Sequence, residues 1–329
     1  MKQVQFRAFG TPHEVADCVE VEDVGAPGAD EVVVEVEAFP INPADLLTIS
    51  GGYAVRPQLP ATLGAESVGR IAARGSRVSG LEVGDRVIVL ARDNWTQKRR
   101  VPASAVLKVE GGDVLQLAML KVNPATALLM LRNYVDLQPG DWVIQDAANS
   151  GVGVNLIKLA RADGFRTVNV VRRPELVGPL EAEGADVVVV DGDDLAERVR
   201  TANRDQPIRL AIDAVGGTAI TRLGDCLAEG GTIVNYGLLS GEPCQIRADQ
   251  TIFKGLTLTG FWLAKALTTM PRPALEDLYA DLGRRVASGE LRVAVEATYG
   301  IEDIKAALEH AARAGRSGKV LVTPNGPVR

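Results

Sequence analysis

Residues 142–153, WVIQDAANSGVG, decide the fold class of this chain. The run Trp142–Ala148 predicts a buried strand, and the apolar pattern of Val152–Asp163 predicts a helix with one apolar face. Between them, Gly151 and Gly153 let the backbone turn sharply and approach a bound pyrophosphate. The N–H groups and positive dipole at the helix start would bind the phosphates. A glycine pair alone is equally compatible with an ordinary turn, so the surrounding elements must decide.

Strands and helices alternate beyond residue 120, which is typical of βαβ units and a parallel sheet. The Asp186–Val190 segment is apolar after one acid, as a buried parallel strand should be. This context favours a dinucleotide site at the glycine pair. We expect the other strands at Arg166–Val171, Leu210–Val215, Thr232–Tyr236 and Leu256–Phe261, and helices at Pro174–Glu183, Leu195–Asn203 and Ala219–Ala228.

The first third of the chain contains short predicted strands separated by glycine turns. Charged residues alternate with valine in Glu31–Ala38, and we expect further strands at Ser67–Ala73 and Arg86–Ala91. This pattern predicts a compact β-barrel-like domain. The tail of the chain is expected to pack back on that domain. Its predicted elements are helices at Pro273–Ser288 and Ile301–Ala314 and a strand at Lys319–Thr323.

The predicted organisation is an α/β protein with two domains, one of them discontinuous. Residues 1–119 and 264–329 are expected to form the β-barrel domain. Residues 120–263 are expected to form a doubly wound parallel-sheet domain. A length of 329 residues suits two such domains.

Charge and hydropathy narrow the class of partner. The formal net charge is −6 and the longest basic run is Lys98–Arg100, so we expect no nucleic-acid partner. No apolar stretch reaches the roughly 18 residues that a membrane-spanning helix needs, so we expect no membrane partner. Residues 1–10, MKQVQFRAFG, contain no apolar signal core and are interpreted as the start of the fold.

The numbers of cysteines and histidines indicate the cellular compartment and the kind of metal site that the chain could form. Cys18, Cys226 and Cys244 are isolated, and their odd number argues against a disulfide framework. We therefore expect three free thiols and a cytoplasmic location. The chain has only His13 and His310, which argues strongly against a zinc site built mainly on histidine.

Arg172 and Arg173 follow the second predicted strand of the parallel sheet. An acid at this place, about twenty residues past the glycines, would bind the ribose hydroxyls of NAD and repel the additional phosphate of NADP. Two arginines instead favour a 2′-phosphate through charge-assisted hydrogen bonds. The alternative is a solvated pair at a strand end. We expect NADPH as the cofactor.

Several stretches together carry a more specific resemblance than any single glycine motif. The chain resembles the medium-chain dehydrogenase/reductase superfamily over essentially its whole length. Within it, the chain resembles the zinc-independent, mitochondrial-type 2-enoyl thioester (enoyl-CoA/ACP) reductases. The matching stretches are Ile41–Asp45, Gly51–Tyr53, Val122–Ala127, Gln138–Asp141, Asn149–Gly153, Asn169–Arg172 and Gly260–Leu263. The resemblance implies a GroES-like β-barrel catalytic domain and a Rossmann domain.

The resemblance also implies a reaction. Hydride from NADPH would add to the β-carbon of an α,β-unsaturated thioester, and Tyr53 would donate the proton to the α-carbon. A phenol suits this role because it is neutral near pH 7. From sequence alone, a loop aromatic that closes over the core is the simpler interpretation of Tyr53. Trp262 would lie beside the substrate and the nicotinamide, or it caps the end of a buried strand.

The cofactor contacts implied by the resemblance come from both halves of the chain. Lys319 would reach the phosphate side of the cofactor, and Asn123 would reach it from the start of the Rossmann domain. Together with Arg172 and Arg173, the implied cofactor-binding residues are Asn123, Asn149, Ser150, Gly151, Val152, Tyr236, Gly237, Leu238, Phe261, Trp262, Leu263 and Lys319.

The zinc ligands of other members of the superfamily are missing here. Zinc-containing members have a cysteine directly before the aspartate of an early loop, whereas the corresponding loop here, Asn42–Asp45, has Ala44 at that place. Their glycine-histidine-glutamate motif corresponds to Gly64–Glu66, in which Ala65 replaces the histidine. Arg92–Val101 contains no cysteine, so the four-cysteine structural zinc lobe is absent from the sequence. We therefore expect no metal. Ala54 and the stretch Gly64–Ser67, with Ala65 and Ser67, depart from the enoyl reductase pattern near the expected substrate loop. The substrate is therefore less defined than the chemistry.

The leading hypothesis is an NADPH-dependent reductase of trans-2-enoyl thioesters carried on CoA or acyl carrier protein. Lys98–Arg100 is a candidate for the phosphates of such a carrier, although exposed basic trios are common. One alternative is a reductase of quinones, free enones or unsaturated acids. Another is a non-catalytic NADPH-binding sensor. By family analogy we expect a homodimer formed through the edge strand near Leu256–Phe261.

Overall fold

The computed structural model describes residues 1–328, which divide into two compact units. The first unit contains Met1–Val122 and the described chain from Arg272 onward, and the second contains Asn123–Pro271. The sequence predicts these boundaries at 119/120 and 263/264. The second boundary differs most, because a helix at Leu263–Thr269 follows the last strand of the second unit and remains part of that unit.

The amino-terminal part of the first unit consists mainly of strands. They are β1 (Lys2–Phe6), β2 (Ala16–Glu20), β3 (Glu31–Pro40), β4 (Val68–Arg74), β5 (Arg86–Val89), β6 (Lys98–Pro102) and β7 (Val106–Lys108). The helices of this part are α1 (Pro12–Val15), α2 (Pro43–Ser50) and α3 (Val114–Leu117).

The second unit alternates strands and helices. Its strands are β8 (Trp142–Gln145), β9 (Arg166–Val171), β10 (Val187–Val190), β11 (Ile208–Asp213), β12 (Thr232–Asn235) and β13 (Thr257–Gly260). Its helices are α4 (Asn123–Asn133), α5 (Gly151–Ala162), α6 (Val177–Ala182), α7 (Leu195–Ala202), α8 (Thr218–Cys226), α9 (Ala248–Ile252) and α10 (Leu263–Thr269).

The chain then returns to the first unit. It adds α11 (Arg272–Ala287), β14 (Val295–Tyr299), α12 (Ile304–Ala312) and β15 (Lys319–Val322). Within residues 1–328, no helix combines the length and the apolar character needed to cross a membrane.

The sheet of the second unit is parallel throughout, in the order β10-β9-β8-β11-β12-β13. This is the Rossmann order, in which the direction of strand addition reverses between the first and fourth strands, here β8 and β11. Ile144, Val168, Ala211 and Ile233 are fully buried within its core. The predicted doubly wound parallel sheet is therefore confirmed.

Three predicted elements of this unit differ in the structure. The Val187–Val190 strand is half-buried rather than buried, because β10 is an edge strand that pairs only with β9. The first strand stops at Gln145, since Ala147 at φ 44° already belongs to the turn. The helix predicted at Pro174–Glu183 starts with a 3₁₀ turn, and its α-helical part is only Val177–Ala182.

The first unit is built on a seven-stranded sheet in the order β14-β15-β3-β4-β5-β7, with β6 also paired to β3. All of these pairings are antiparallel except that of β14 with β15. Two register shifts in the β3–β4 pairing bend the sheet. Because Leu321 and Val322 of β15 pair with Pro40 and Phe39 of β3, the tail completes the first unit. The predicted discontinuous β-rich domain is confirmed.

Candidate active site

The glycine turn connects β8 to α5 as the sequence predicts. Ser150 caps the helix, and its Oγ accepts a hydrogen bond from the Gly153 N–H at 3.1 Å. A Cβ at position 153 would lie 2.4 Å from the Ala148 carbonyl oxygen, so only glycine fits there. The N–H groups of the first helical turn have no partners within the helix, which makes this end of α5 suitable for binding an anion.

Asn123 lies beside this turn, at the start of α4. The residue is buried, and its Nδ2 has no hydrogen-bond partner within residues 1–328. A Cβ at position 151 would lie 3.0 Å from that Nδ2. A buried donor without an acceptor is costly unless a ligand completes it. The close approach of the Gly151 backbone and the unpaired amide therefore fit a bound dinucleotide.

Tyr236 and Gly237 belong to the same site. Burial of the Tyr236 hydroxyl raises the pKa of Tyr236 above its usual range, and the nearby Ser150 side chain opposes part of that rise. Gly237 packs closely on the neighbouring strand end, since a Cβ there would lie 2.4 Å from the Ala214 carbonyl oxygen. Leu238, which follows, is 54% exposed. The end of β12 thus contacts the cap of α5 directly.

Two buried acids at the reversal point of the sheet were not predicted from the sequence. Asp146 follows β8, and its Oδ1 accepts a hydrogen bond from the Ala214 N–H at 2.7 Å. Asp213 ends β11 and accepts hydrogen bonds from the Gly216 N–H at 3.0 Å and from Asn235 Nδ2. Burial and the neighbouring Asp213 carboxylate raise the pKa of Asp146 well above its usual value. Both acids lie at the carboxyl ends of neighbouring strands, where ligands bind in open parallel sheets.

The two arginines after β9 differ in their surroundings. Arg172 is exposed and forms no ion pair in the described part of the chain. Arg173 is half-buried, and its Nε lies 3.4 Å from the Glu175 carboxylate. Because β9 is next to β8, both arginines follow the strand adjacent to the glycine turn. Arg172 is the better candidate for a 2′-phosphate, since its charge is uncompensated.

Phe261, Trp262 and Leu263 lie where β13 ends and α10 begins. The Phe261 N–H donates to the Asn235 carbonyl at 2.8 Å, and the Phe261 ring packs edge-on against Tyr134. Trp262 is the N-cap residue of α10, and its side chain is 42% exposed. This exposure is compatible with contact to a ligand, and the role of Trp262 beside the substrate stays a prediction.

Tyr53 lies in the first unit, just after α2. Gly51 ends that helix at φ 80°, and the Tyr53 N–H donates to the Leu47 carbonyl at 3.1 Å. The Arg56 guanidinium donates to the Gly51 carbonyl at 2.8 and 3.0 Å, which fixes the following loop. Tyr53 is half-buried, and the Arg92 guanidinium carbon lies 5.8 Å from its ring centroid. Tyr53 therefore occupies a defined position beside a cation.

Lys319 lies in a buried polar cluster of the first unit. Its Nζ donates to Asn42 Oδ1 at 2.6 Å, and Asn42 Nδ2 donates to Glu66 Oε1 at 2.8 Å. Burial raises the pKa of Glu66 to about 7 and that of Asp45 to about 6, and it lowers the pKa of Lys319 to about 8. The structure thus gives Lys319 an amide partner in place of the phosphate that the resemblance implies. Its contact with the cofactor stays a prediction.

Asp45 and Glu66 of this cluster belong to the two stretches, Asn42–Asp45 and Gly64–Glu66, in which the sequence lacks the cysteine and histidine of a zinc site. Glu66 Oε2 accepts a hydrogen bond from the Val122 N–H at 2.8 Å, in addition to the one from Asn42. Both carboxylate oxygens of Glu66 are thus engaged by neutral donors. No group of three or more His, Cys, Asp or Glu residues that would suit a metal ion occurs within residues 1–328.

The basic trio is part of β6. Lys98 Nζ lies 2.7 Å from the Asp23 carboxylate, and Arg100 Nε lies 3.6 Å from that of Glu31. Arg99 is half-buried and donates to the Arg92 carbonyl at 2.9 Å. The partners within the chain weaken the trio as a candidate site for carrier phosphates.

Comparison with known proteins supports the same organisation. The family model described as alcohol dehydrogenase GroES-like domain matches residues 28–112, and the one described as zinc-binding dehydrogenase matches residues 151–282. A human protein named enoyl-[acyl-carrier-protein] reductase, mitochondrial, is 37% identical over 322 residues, which cover 95% of this chain and 86% of that protein.

Two solved structures show the likeness in three dimensions. The complex of Etr1p, a Candida tropicalis protein, with NADP and crotonyl-CoA has a TM-score of 0.86 at 25% identity, covering 98% of this chain and 99% of that one. Escherichia coli quinone oxidoreductase complexed with NADPH has a TM-score of 0.88 at 27% identity, covering 98% of this chain and 100% of that one.

A Rossmann sheet inserted into a GroES-like β unit defines a two-unit oxidoreductase. The extent of the human match narrows this class to one family. The chain belongs to the medium-chain dehydrogenase/reductase family and is enoyl reductase-like within it.

Proposed function

We propose that the chain is an NADPH-dependent reductase of trans-2-enoyl thioesters. Tyr53 carries the proposal, because it provides a phenol held in a defined position in the unit that resembles the catalytic domain. The similarity to a human enoyl-[acyl-carrier-protein] reductase supports the same substrate class.

The second unit has the groups needed to hold NADPH. The first turn of α5 and the unpaired Asn123 amide suit the pyrophosphate region, and Arg172 suits the 2′-phosphate. Trp262 is exposed enough to cover a flat ring. NADPH, when bound, supplies the hydride. The similarity to NADP and NADPH complexes supports this cofactor.

Tyr53 supplies the proton in the proposed reaction. Addition of hydride to the β-carbon moves the C=C electron pair towards the thioester carbonyl and leaves an enolate. The enolate α-carbon then takes the proton of the Tyr53 hydroxyl, and the phenolate regains a proton from water. A phenol is protonated near pH 7 and therefore available as the donor.

A substrate panel tests this proposal. The purified chain is given NADPH with crotonyl-CoA, crotonic acid or a simple quinone, and NADPH oxidation is followed at its absorbance maximum. We expect turnover with crotonyl-CoA and little with crotonic acid, because a thioester stabilises the enolate better than a carboxylate does. Reduction of only the free acid or the quinone would refute the thioester proposal.

A second candidate function is reduction of quinones. The high TM-score with Escherichia coli quinone oxidoreductase favours it. A quinone accepts hydride without carbon protonation, so loss of the Tyr53 hydroxyl should leave quinone reduction nearly unchanged. If no member of the panel is turned over while NADPH still binds, the remaining candidate is a non-catalytic NADPH-binding sensor.

We also propose that two copies associate through β13. This strand is the edge of the parallel sheet and pairs only with β12, so its outer N–H and C=O groups are available to a second strand. Ile252 and Phe253, just before it in the chain, are 69% and 78% exposed. Light scattering at micromolar concentration should give twice the mass of one chain, and a monomer mass would contradict the proposal.

A cytoplasmic location remains a proposal as well. Cys18, Cys226 and Cys244 are all free thiols, as expected in a reducing compartment. The human relative reported above is named mitochondrial. Imaging of a fluorescent fusion in the native cell distinguishes a diffuse cytoplasmic signal from an organellar one.

A further inference from the structure

We propose that Arg92 is a positioning residue that orients the Tyr53 ring and stabilises the negative charge that Tyr53 acquires on donating its proton. This inference rests on the proposed function, because it assumes that Tyr53 is the proton donor. The sequence does not point to Arg92, which lies 39 positions away in a segment without a recognisable motif.

The segment that carries Arg92 has a fixed backbone. The Ala91 carbonyl accepts a hydrogen bond from Asn94 Nδ2 at 2.8 Å, and the Arg92 carbonyl accepts one from Arg99 at 2.9 Å. Asp93 completes the turn with a φ of 68°. Carbonyls on both sides of the Arg92 Cα are therefore held by side chains, which limits how far its guanidinium can move.

The same turn is attached to the core of the first unit. Gly64 accepts hydrogen bonds from the Asn94 N–H at 3.3 Å and from Asn94 Nδ2 at 3.1 Å. The next residue, Trp95, is fully buried and stacks on Phe39. A Cβ at position 64 would lie 2.5 Å from Trp95 Cδ1, so the approach of the two segments requires glycine. Arg92 thus extends from a rigid support.

The charge of Arg92 is not neutralised by an ion pair. Unlike Arg70 and Arg86, which share the Glu37 carboxylate, Arg92 has no carboxylate within ion-pair distance in residues 1–328. The positive charge of Arg92 also acts on Asp45. Burial raises the pKa of Asp45 to about 6, and the charge of Arg92 opposes that rise. Asp45 is itself buried in α2 and hydrogen-bonded to the Asn42 N–H, so it does not cap the guanidinium.

A guanidinium beside an aromatic ring has two effects that suit a proton donor. It is attracted to the negative face of the neutral ring, which restricts the ring orientation. The attraction becomes stronger when the phenol loses its proton, since the ring then carries part of a full negative charge. The interaction is therefore greater in the transition state than in the ground state, which is the condition for raising kcat.

The experiment compares Arg92→Gln and Arg92→Lys in the wild-type chain and in a Tyr53→Phe chain. The substrate is the crotonyl thioester of N-acetylcysteamine, which has no phosphate for an arginine to bind. Arg92→Gln should lower kcat by about tenfold with little change in KM. Arg92→Lys should recover part of that loss because it keeps the charge. In the Tyr53→Phe chain, Arg92→Gln should have no further effect, because the phenolate is never formed.

Controls separate this role from a merely structural one. Arg313→Gln removes a 62% exposed arginine that follows α12 directly, and it should leave kcat unchanged. The Kd for NADPH, measured by fluorescence, should be the same in all of these variants. An unchanged kcat in Arg92→Gln, or an equal loss with Tyr53 and with Phe at position 53, would overturn the inference. So would an unchanged kcat on the N-acetylcysteamine thioester together with a raised KM for crotonyl-CoA measured in parallel, since Arg92 would then bind the nucleotide part of the substrate.

Failure of the proposed function has a different signature. If Tyr53→Phe keeps the wild-type kcat for the thioester, Tyr53 is not the donor and the proposed mechanism falls. If Tyr53→Phe loses turnover but Arg92→Gln does not, only the role of Arg92 is refuted.

Discussion

Replacement of Arg172 by alanine should weaken NADPH binding and leave NADH binding nearly unchanged. Arg172 is exposed at the end of β9 and has no ion pair within residues 1–328, so its whole charge is available to a 2′-phosphate. A charge-assisted hydrogen bond contributes about 1.5–3 kcal/mol, and exposure favours the lower value. A loss of about 1.5 kcal/mol corresponds to a rise of about tenfold in the KM for NADPH. Arg173→Ala should raise the KM for NADPH by a smaller factor, because the Glu175 carboxylate already compensates part of the Arg173 charge.

The assay is steady-state turnover with each cofactor at a saturating thioester concentration. Arg166→Ala is the matched control, because Arg166 starts the same strand at its opposite end and is 59% exposed. That variant should leave both KM values unchanged. Equal rises in the KM for NADPH and NADH in Arg172→Ala would refute the reasoning, since only NADPH has the additional phosphate.

Three further outcomes are expected. Tyr53→Phe should lower kcat for crotonyl-CoA by about 10²-fold or more without changing the Kd for NADPH, and an unchanged kcat would contradict the proton-donor role. Gly153→Ala should lower both Tm and NADPH affinity, because its Cβ would lie 2.4 Å from the Ala148 carbonyl; Gly178→Ala, with open space around it, is the neutral control. Burial raises the pKa of Glu66 from 4.5 to about 7, so its contribution to stability is full below pH 4.5 and is lost as pH rises through 7. Glu66→Gln should flatten the fall in Tm across that range, and an unaltered slope would mean that Glu66 does not cause it.

The parallel sheet could be predicted because its signals are local. Residues 142–153 contain a complete strand–turn–helix pattern, and the glycines report directly on backbone geometry. The position of a strand in the sheet is not a local property. Val187–Val190 has the composition of a buried strand, yet it forms an edge and is half-buried. Neighbouring elements cover the four valines only in part, and a run of valines has the same composition whether the strand is half-buried or fully buried.

The residues of the candidate site that belong to local motifs could be predicted from the sequence, whereas those brought together by folding could not. The cap at Ser150 and the arginine at position 172 follow from the motif and from the length of the βαβ unit. The proximity of Asp146 and Asp213 could not be predicted from the sequence, because it depends on the pairing of β8 with β11 in the folded sheet. Arg92 was missed for the same reason, since only the folded chain brings it to Tyr53.

The placement of β15 has a consequence for the order in which the protein can fold. β15 lies between β14 and β3 in the sheet of the first unit, so an interior strand of that sheet is synthesised after the whole second unit. The second unit is continuous, and all six strands of its sheet are available before β15 leaves the ribosome. During translation the second unit can therefore fold first, while Phe39 and Pro40 at the end of β3 still lack their partner strand. That unpaired end of β3 is then the part of the sheet most open to pairing with another chain.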